Sequence, residues 1–296
     1  MIMKTFQLQF KQMLRSWEFQ LSFLLMTVFS VGSFYVAVKD ASGQTSDYLY
    51  DAEWYFCTNY SINWIFWGGL LFIVTVMPFS TSYIKEVKNG NLIPILMRSN
   101  RSDYFISKLF VTAAGNAMVT GIPLLLNYVL CWFWFPHNEH SMYWVSRVYR
   151  DEFLMGESIL YQTDYPHILF GNLYVNNRWL FHLWMLLLTI VFAAAIGCLA
   201  LCLSFLIRKG RLLLFLPCFL IWQILSSVDS VMYERAMEDP NIKYFNYNVF
   251  SYLQPFGSLS GMSFVYFLVF LAIIAVICAV LLIYIIRSEE KILAGE

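Results

Sequence analysis

Charged residues are scarce in this sequence: Asp, Glu, Lys and Arg make up 13% of its 296 residues, where an average soluble protein has about a quarter. Hydrophobic residues make up 59% and aromatic residues 19%. A soluble domain could not bury that much apolar surface, so the composition predicts an integral membrane protein. The formal net charge is zero, and neither the charge nor any motif favours binding to nucleic acid.

The sequence also lacks the pattern Gly-x-x-x-x-Gly-Lys-Ser/Thr, with which a chain cradles ATP phosphates. If ATP powers this protein, another polypeptide must hold the ATP and its Mg²⁺. A faint metal-site pattern, with His137, Glu139 and His140, lies next to Pro136 in a stretch of irregular character. We therefore predict neither catalytic residues nor a metal site in this chain.

The six cysteines follow no spacing typical of a metal site or a disulfide framework. Four of them fall within predicted membrane spans, where a free cysteine packs like a small hydrophobic residue: Cys198, Cys202, Cys218 and Cys278. Cys57 and Cys131 lie at or near the predicted outer side of the membrane. Whether these two form a disulfide stays open.

Apolar runs long enough to cross a bilayer follow an amphipathic start. Residues 4–18 place apolar side chains three and four positions apart among basic ones, which is typical of a helix lying in the membrane interface. A span needs about 20 apolar residues to cross a hydrocarbon core of roughly 30 Å. The sequence therefore predicts a single all-α membrane domain over residues 1–296, with six spans at about 19–38, 62–82, 104–135, 179–207, 212–232 and 262–286.

Lysine and arginine residues determine the predicted orientation. Of the 19, 13 lie in the N-terminal segment, in residues 83–108, in the turn at 208–211 and in the C-terminal tail. The positive-inside rule therefore places both termini and the 83–103 loop in the cytoplasm. Residues 136–178 and 233–261 become outer segments.

The polar break at residues 83–108 is the most informative stretch of the sequence. Asn89 and Gly90 predict a turn, and Asn91 can cap a short helix over Leu92–Ser99. This helix would show apolar side chains to the cytoplasm between basic flanks, which predicts a knob that docks in a groove of another protein: Leu92, Ile93, Ile95, Leu96 and Met97. The alternative is an interfacial helix that lies on lipid headgroups.

This break, together with the topology, resembles the type-two permeases of ABC exporters. Their loop between the second and third spans typically reads as an acid, a glycine, a leucine-bearing short helix, a basic residue and a lysine that opens the third span. The sequence follows that order with Glu86, Gly90, Leu92, Leu96, Arg101 and Lys108. Asn91 stands where a threonine is common, and Ser99-Asn100 replaces a proline-containing pair, a variant that looks more like permeases of Gram-positive bacteria.

The resemblance implies a machine of four subunits in a bacterial plasma membrane. Two permease chains, identical or homologous, would sit on two cytoplasmic ATPase subunits that bind ATP and Mg²⁺. The short helix would be the coupling helix, seated in a groove of the ATPase, and the coupling residues would be Glu86, Gly90, Leu92, Ile93, Ile95, Leu96, Arg101 and Lys108. A hydrophobic or amphipathic substrate (a peptide, lipid or drug) would be exported between the permeases, with these candidates for its path or gate: Trp64, Trp67, Trp222, Gln223 and Asp229.

Two other functions stay open at this point. Asp229 is the one acid within a predicted span, and an acid at that depth is a functional candidate because burying its charge is costly. A secondary carrier would couple ions there, although the residue can equally be a hydrated or serine-bonded structural acid. An intramembrane enzyme has less support, since the only adjacent acid pair beside a span, Glu289 and Glu290, lies in the cytoplasmic tail.

Overall fold

The computed structural model describes residues 2–42, 52–57, 69–98, 100–135, 170, 173, 177–207, 214–239, 245–253 and 264–294. Within this part of the chain every regular element is helical, and the prediction of an all-helical membrane protein is confirmed to that extent. The elements are α1 (Ile2–Leu14), α2 (Trp17–Ala41), α3 (Ala52–Cys57), α4 (Leu71–Val76), α5 (Ser82–Lys88), α6 (Leu92–Arg98), α7 (Arg101–Trp134), α8 (Arg178–Leu206), α9 (Phe215–Glu238), the 3-10 turn Val249–Leu253 and α10 (Phe264–Ala294).

Five of these helices are long and apolar enough to cross a membrane: α2, α7, α8, α9 and α10. They match the first and the third to sixth predicted spans, and most ends differ by only a few residues. The largest differences are at the C-terminal ends of α9 and α10, which run on to Glu238 and Ala294. Helix α9 thus covers the start of the predicted outer segment 233–261, because that stretch is polar but holds no helix breaker before Pro240.

The predicted span at 62–82 is not confirmed. Residues 62–68 lie outside the described part of the chain, and α4 is only six residues long. A turn over residues 77–81 separates α4 from α5. Helix α4 is deeply buried all the same, since Leu71, Phe72 and Val74 are no more than 2% exposed.

A tight corner joins α1 to α2 and corrects the prediction of one helix over residues 4–18. Ser16 N donates to Met13 O at 2.9 Å, which closes α1. The Ser16 Oγ accepts from Phe19 N at 3.3 Å, which caps α2. Trp17 therefore belongs to the first long helix, and the chain changes direction at a serine whose backbone and side chain serve both helices.

Helix α1 packs on α7 through one face. Gln9 and Met13 on this face are buried, and Gln9 Nε2 donates to Tyr104 O at 3.3 Å. The Met13 side chain fills the space over Gly115, where a Cβ atom would overlap its sulfur. One side of the predicted amphipathic helix therefore packs against protein and not against lipid.

Helix α7 is the centre of the fold, and α2 runs beside it in the same direction. Near the middle of α2, Ser30 O accepts a hydrogen bond from Asn127 Nδ2 of α7 at 2.6 Å. One turn further along α2 and two turns further along α7, the Phe34 ring lies 6.2 Å from the Trp134 ring. Since the residue numbers rise together, α2 and α7 are parallel.

Helix α8 packs on α7 in the opposite direction. The Trp179 ring near the start of α8 lies 3.5 Å from the Trp132 ring near the end of α7. Further along, Gly197 lies against Asn116 so closely that a Cβ atom there would overlap the amide nitrogen. Small residues thus let the two helix backbones approach each other, as is common between membrane helices.

Helix α10 completes the packing by running parallel to α8. The Phe192 ring lies 6.3 Å from the Phe267 ring, and ten residues later on α8 the Cys202 sulfur lies 3.8 Å from Cys278 O. Helix α8 is therefore the most enclosed candidate span, with α7 on one side and α10 on the other.

Candidate functional site

The turn between α5 and α6 closes with two backbone hydrogen bonds. Asn91 N donates to Glu86 O at 3.0 Å and Gly90 N donates to Val87 O at 3.2 Å, which together form a Schellman motif. Gly90 has a φ of +68°, a left-handed conformation that glycine adopts without steric cost. The predicted turn is confirmed at Gly90, and it sets the direction in which α6 leaves α5.

A buried ion pair joins the end of α5 to α7. Lys108 is fully buried, and its Nζ donates to Glu86 Oε2 at 2.7 Å and to the Tyr104 hydroxyl at 2.7 Å. The Tyr104 hydroxyl in turn donates to Glu86 Oε2. The rings of Tyr104 and Phe79 also lie over the ammonium, at 4.7 Å and 5.3 Å from Nζ. These three polar side chains, Glu86, Tyr104 and Lys108, are called the buried triad below.

The buried triad changes the role expected for two predicted coupling residues. Glu86 is 6% exposed and Lys108 is not exposed at all. Neither side chain can touch another protein while the triad is intact. The structure instead makes them an internal brace, which fixes the α5–α6 turn to the long helix α7.

Two further contacts hold the same region together. Lys85, the residue before Glu86, pairs with Glu18 at the start of α2. On the other side of α5, the rings of Tyr83, Phe105 and Phe205 pack at centroid distances of 5.0 to 6.1 Å. Helix α5 is therefore joined to α2, α7 and α8 at once.

Only part of the apolar surface that the sequence predicted for α6 is exposed. Leu92 and Leu96, expected as docking residues, are 7% and 5% exposed and pack inward. Ile93 and Met97 are 52% and 77% exposed, and residues four apart lie on the same side of a helix. Ile95 is half-buried against the core. We call the pair Ile93 and Met97 the exposed face of α6.

Basic residues flank this face, as the sequence predicts. Lys88 is exposed at the end of α5. Arg101 opens α7 and is half-buried. The arrangement is therefore an apolar patch beside positive charge, mounted on a buried core.

Three of the five residues predicted for a substrate path lie in the described part of the chain, where they extend over about two turns of α9: Trp222, Gln223 and Asp229. Trp64 and Trp67 lie outside the described residues. Trp222 is half-buried and packs on the Phe72 ring at 6.1 Å. Gln223, the next residue on α9, is exposed.

Asp229 lies on α9 and holds a neighbouring segment in place. Its Oδ1 accepts a hydrogen bond from Tyr247 N at 2.9 Å. Nearby, Asn248 Nδ2 donates to Ser226 Oγ at 3.2 Å. The Tyr266 hydroxyl on α10 donates to Tyr247 O at 3.0 Å. This geometry agrees with the structural alternative for Asp229, because its carboxylate binds the backbone of the segment between α9 and α10.

A polar stripe that was not predicted from the sequence continues from the buried triad along α7. Thr112, Asn116 and Thr120 follow Lys108 at intervals of four residues, and all are fully buried. Each side chain donates to the carbonyl four residues earlier, at 2.8 to 3.0 Å. Asn116 Oδ1 has no hydrogen-bond partner among the described residues. The spacing of four was the available signal for this stripe.

No arrangement for a metal ion occurs among the residues that the structure describes, where no three His, Cys, Asp or Glu side chains form a suitable group. The pattern at His137, Glu139 and His140 lies outside them. Cys131 is a buried free thiol whose sulfur lies 3.7 Å from Asn127 Oδ1, while the side chain of Cys57 lies outside the described part of the chain.

Comparisons of the chain with models of known protein families, with curated proteins and with solved structures found no match.

Proposed function

We propose that this chain is the membrane-spanning permease subunit of an ATP-driven ABC exporter, and that α6 is the helix on which a separate ATPase acts. The observation that carries the proposal is the combination of an exposed apolar face, Ile93 and Met97, with a rigid mounting. An apolar pair beside basic residues suits a groove on a partner protein. The buried triad suits the transmission of force, because it joins the mounting of α6 to a central helix.

Force on α6 would reach the membrane through two routes. The first route runs through the Schellman turn to Glu86 and from there to Lys108 on α7. The second runs through the aromatic contact of Tyr83 with Phe205 on α8. A displacement of α6 would therefore move α7 and α8 together, since packed interiors transmit strain.

Helix directions support six crossings with both termini on one side. Two parallel spans that follow each other in the chain, as α2 and α7 do, need a return crossing between them. The predicted span at 62–82 would supply that crossing, and α9 would supply the one between the parallel helices α8 and α10. The positive-inside rule then favours the cytoplasm for both termini and for α6.

The level of the membrane can be inferred from the pairing of α2 with α7. Counting back from the bond between Ser30 and Asn127, Trp17 falls level with Ala114. Trp17 is 69% exposed at the start of α2, as suits a residue that marks the membrane–water boundary. The α7 residues before Ala114 would then extend about 20 Å beyond the hydrocarbon, at 1.5 Å per residue. The buried triad and α6 would lie in that extension.

The other subunits of the proposed exporter would supply a nucleotide site, which this sequence lacks, and would cover apolar helices that this chain leaves exposed. Two cytoplasmic ATPase subunits would bind ATP and Mg²⁺, because this sequence has no nucleotide pattern of its own. The apolar stretches of α2, α9 and α10 are only 22%, 6% and 17% buried, against 61% for α8. Of these, a second permease, identical or homologous, would cover α2 and α9, as the resemblance implies. The cargo would pass at that interface, and the apolar character of the spans favours a hydrophobic or amphipathic molecule.

The proposal is tested by purifying the tagged chain in mild detergent from its own host and identifying the proteins that elute with it. We expect an ATPase with a phosphate-binding loop in stoichiometric amount. The variant Ile93→Asp/Met97→Asp should lose this ATPase, while Met237→Asp, an equally exposed apolar site at the other end of the protein, should keep it. A chain that elutes alone, even after cross-linking with ATP present, would rule the proposal out and favour the carrier alternative.

A further inference from the structure

An apolar groove of about 840 Å³ lies between α1, α7 and α8, within the range of roughly 300–1000 Å³ that is typical of ligand pockets. Small residues widen it along α7 and α8, and larger apolar side chains form its walls. The lining consists of Met3, Phe6, Phe110, Ala113, Ala114, Ala117, Ile190, Val191 and Ala194. Such a groove suits a flexible hydrocarbon chain.

The groove lies at the level inferred for the membrane–water boundary. Ala114, which falls level with Trp17 on α2, is part of its lining. Phe110 lies one turn to one side of Ala114, and Ala117 lies about one turn to the other. A hydrocarbon chain that entered this groove would therefore have its polar end near the water.

A stripe of positive charge runs along α1, the helix that contributes Met3 and Phe6 to the groove. Lys4, Lys11 and Arg15 are exposed, and their spacings of seven and four place them on one side of the helical segment. The helix itself contains no Asp or Glu. Lys4 directly follows Met3, which lines the groove, and Lys11 lies about 10 Å further along α1 at 1.5 Å per residue. Anionic headgroups are attracted to such clusters at a membrane surface.

We propose that this groove binds an anionic phospholipid, with one acyl chain between α1, α7 and α8 and the headgroup phosphate on Lys4 and Lys11. An acyl chain fits the apolar lining and the space that the small residues leave. The lysines favour a negatively charged headgroup over a neutral one. The lipid joins the amphipathic helix α1 to the central helix α7. The inference does not depend on the nature of the transport reaction.

The test uses native mass spectrometry of the full chain, with any subunits that co-purify. The protein is equilibrated in mixed micelles with phosphatidylglycerol or phosphatidylcholine of identical acyl chains, and the lipids retained per chain are counted. We expect retention of phosphatidylglycerol to exceed that of phosphatidylcholine by about tenfold, since each nearby lysine favours the anionic headgroup. Lys4→Gln/Lys11→Gln should remove this preference, while Lys39→Gln/Lys88→Gln, with two exposed lysines elsewhere, should keep it.

A second pair of variants separates the groove from general contact with lipid. Ala113→Phe should fill the groove and abolish retention of both lipids, whereas Val276→Phe, at an exposed position of α10, should retain them like the unaltered chain. Monodisperse elution and unchanged helical circular dichroism establish that each variant is folded. Equal retention of the two lipids by the unaltered chain, or unchanged retention by Ala113→Phe, would overturn the proposal.

Discussion

Lys108 carries a positive charge in a place where water does not reach it. Its ammonium depends on Glu86, on the Tyr104 hydroxyl and on two aromatic faces. A charge in such a setting is stabilised only while its partners remain, since the unpaired ion keeps the full cost of losing its water. Removing one charged member of the buried triad should therefore destabilise the protein strongly, because it leaves the other charge buried without a partner. Removing both charges together avoids this cost.

This sensitivity gives a prediction for the ion pair. Glu86→Gln and Lys108→Met should each lower the free energy of unfolding by about 3–5 kcal/mol, and the double variant should lose clearly less than the sum of the two. Denaturant unfolding of the detergent-solubilised protein measures all three as a double-mutant cycle. Lys85→Met serves as the control, because the pair with Glu18 is partly exposed and such pairs contribute about 0–1 kcal/mol. Simple additivity of the two single effects would contradict the buried pair.

A second prediction concerns the close contact of α7 and α8. Gly197→Ala should destabilise the protein by about 1–3 kcal/mol, because the new methyl group overlaps the Asn116 amide and lies 3.1 Å from Thr75 O. Gly32→Ala on α2 is the matched control, since a Cβ atom at Gly32 would have no neighbour within 4 Å. Thermal unfolding compares the two variants. Equal melting temperatures would show that the helices do not approach each other as described.

The sequence could identify these residues but could not assign their partners. Lys108 stands out in the sequence because lysine is unusual within a predicted span. Its partner Glu86 lies 22 residues earlier along the chain, so the sequence does not connect the two. Their meeting depends on the turn at Gly90 and on how α5 packs against α7. The stripe of Thr112, Asn116 and Thr120 was visible as a spacing of four, but only the structure shows that it is buried, with Asn116 against Gly197 of α8.

Helix α6 shows how an element can be predicted while its orientation is not. The asparagine–glycine turn and the apolar run predicted a helix from Leu92 to Ser99, and the structure has Leu92–Arg98. Five apolar residues in seven leave no polar face to mark the solvent side. The sequence therefore predicted all five for docking, whereas contacts with the rest of the chain bury Leu92 and Leu96 and leave Ile93 and Met97 exposed.

The difference between the buried side and the exposed side of α6 provides a prediction for the stability of the protein. Leu92→Ala and Leu96→Ala should each lower the free energy of unfolding by about 2–5 kcal/mol, as expected for truncated leucines in a core. Ile93→Ala and Met97→Ala should change it by less than about 0.5 kcal/mol, as expected for exposed sites. Denaturant unfolding in detergent measures the four variants. A loss of stability for the second pair alone would place the opposite face of α6 inward.

At the scale of the whole molecule, hydropathy predicted five of the long helices with ends close to those observed, because long apolar runs leave few alternatives. The break between the interfacial helix and the first span was predicted between residues 18 and 19 and lies at Ser16 instead, since the apolar periodicity continues past Leu14 and only the serine cap interrupts the helix. The parallel course of α2 and α7 depends on contacts between distant residues. It supports a return crossing at residues 62–82, a span that stays a prediction.

The most direct test of the central claim is photo-cross-linking from α6 in the membranes of the native host. A photoreactive amino acid replaces Met97, with the same replacement at Met237 as the control, and cross-linked proteins are identified by mass spectrometry. We predict that position 97 captures a cytoplasmic ATPase with a phosphate-binding loop and that position 237 does not. Capture of lipid alone at position 97, with ATP present and the chain correctly inserted, would contradict the account and assign α6 to the membrane surface.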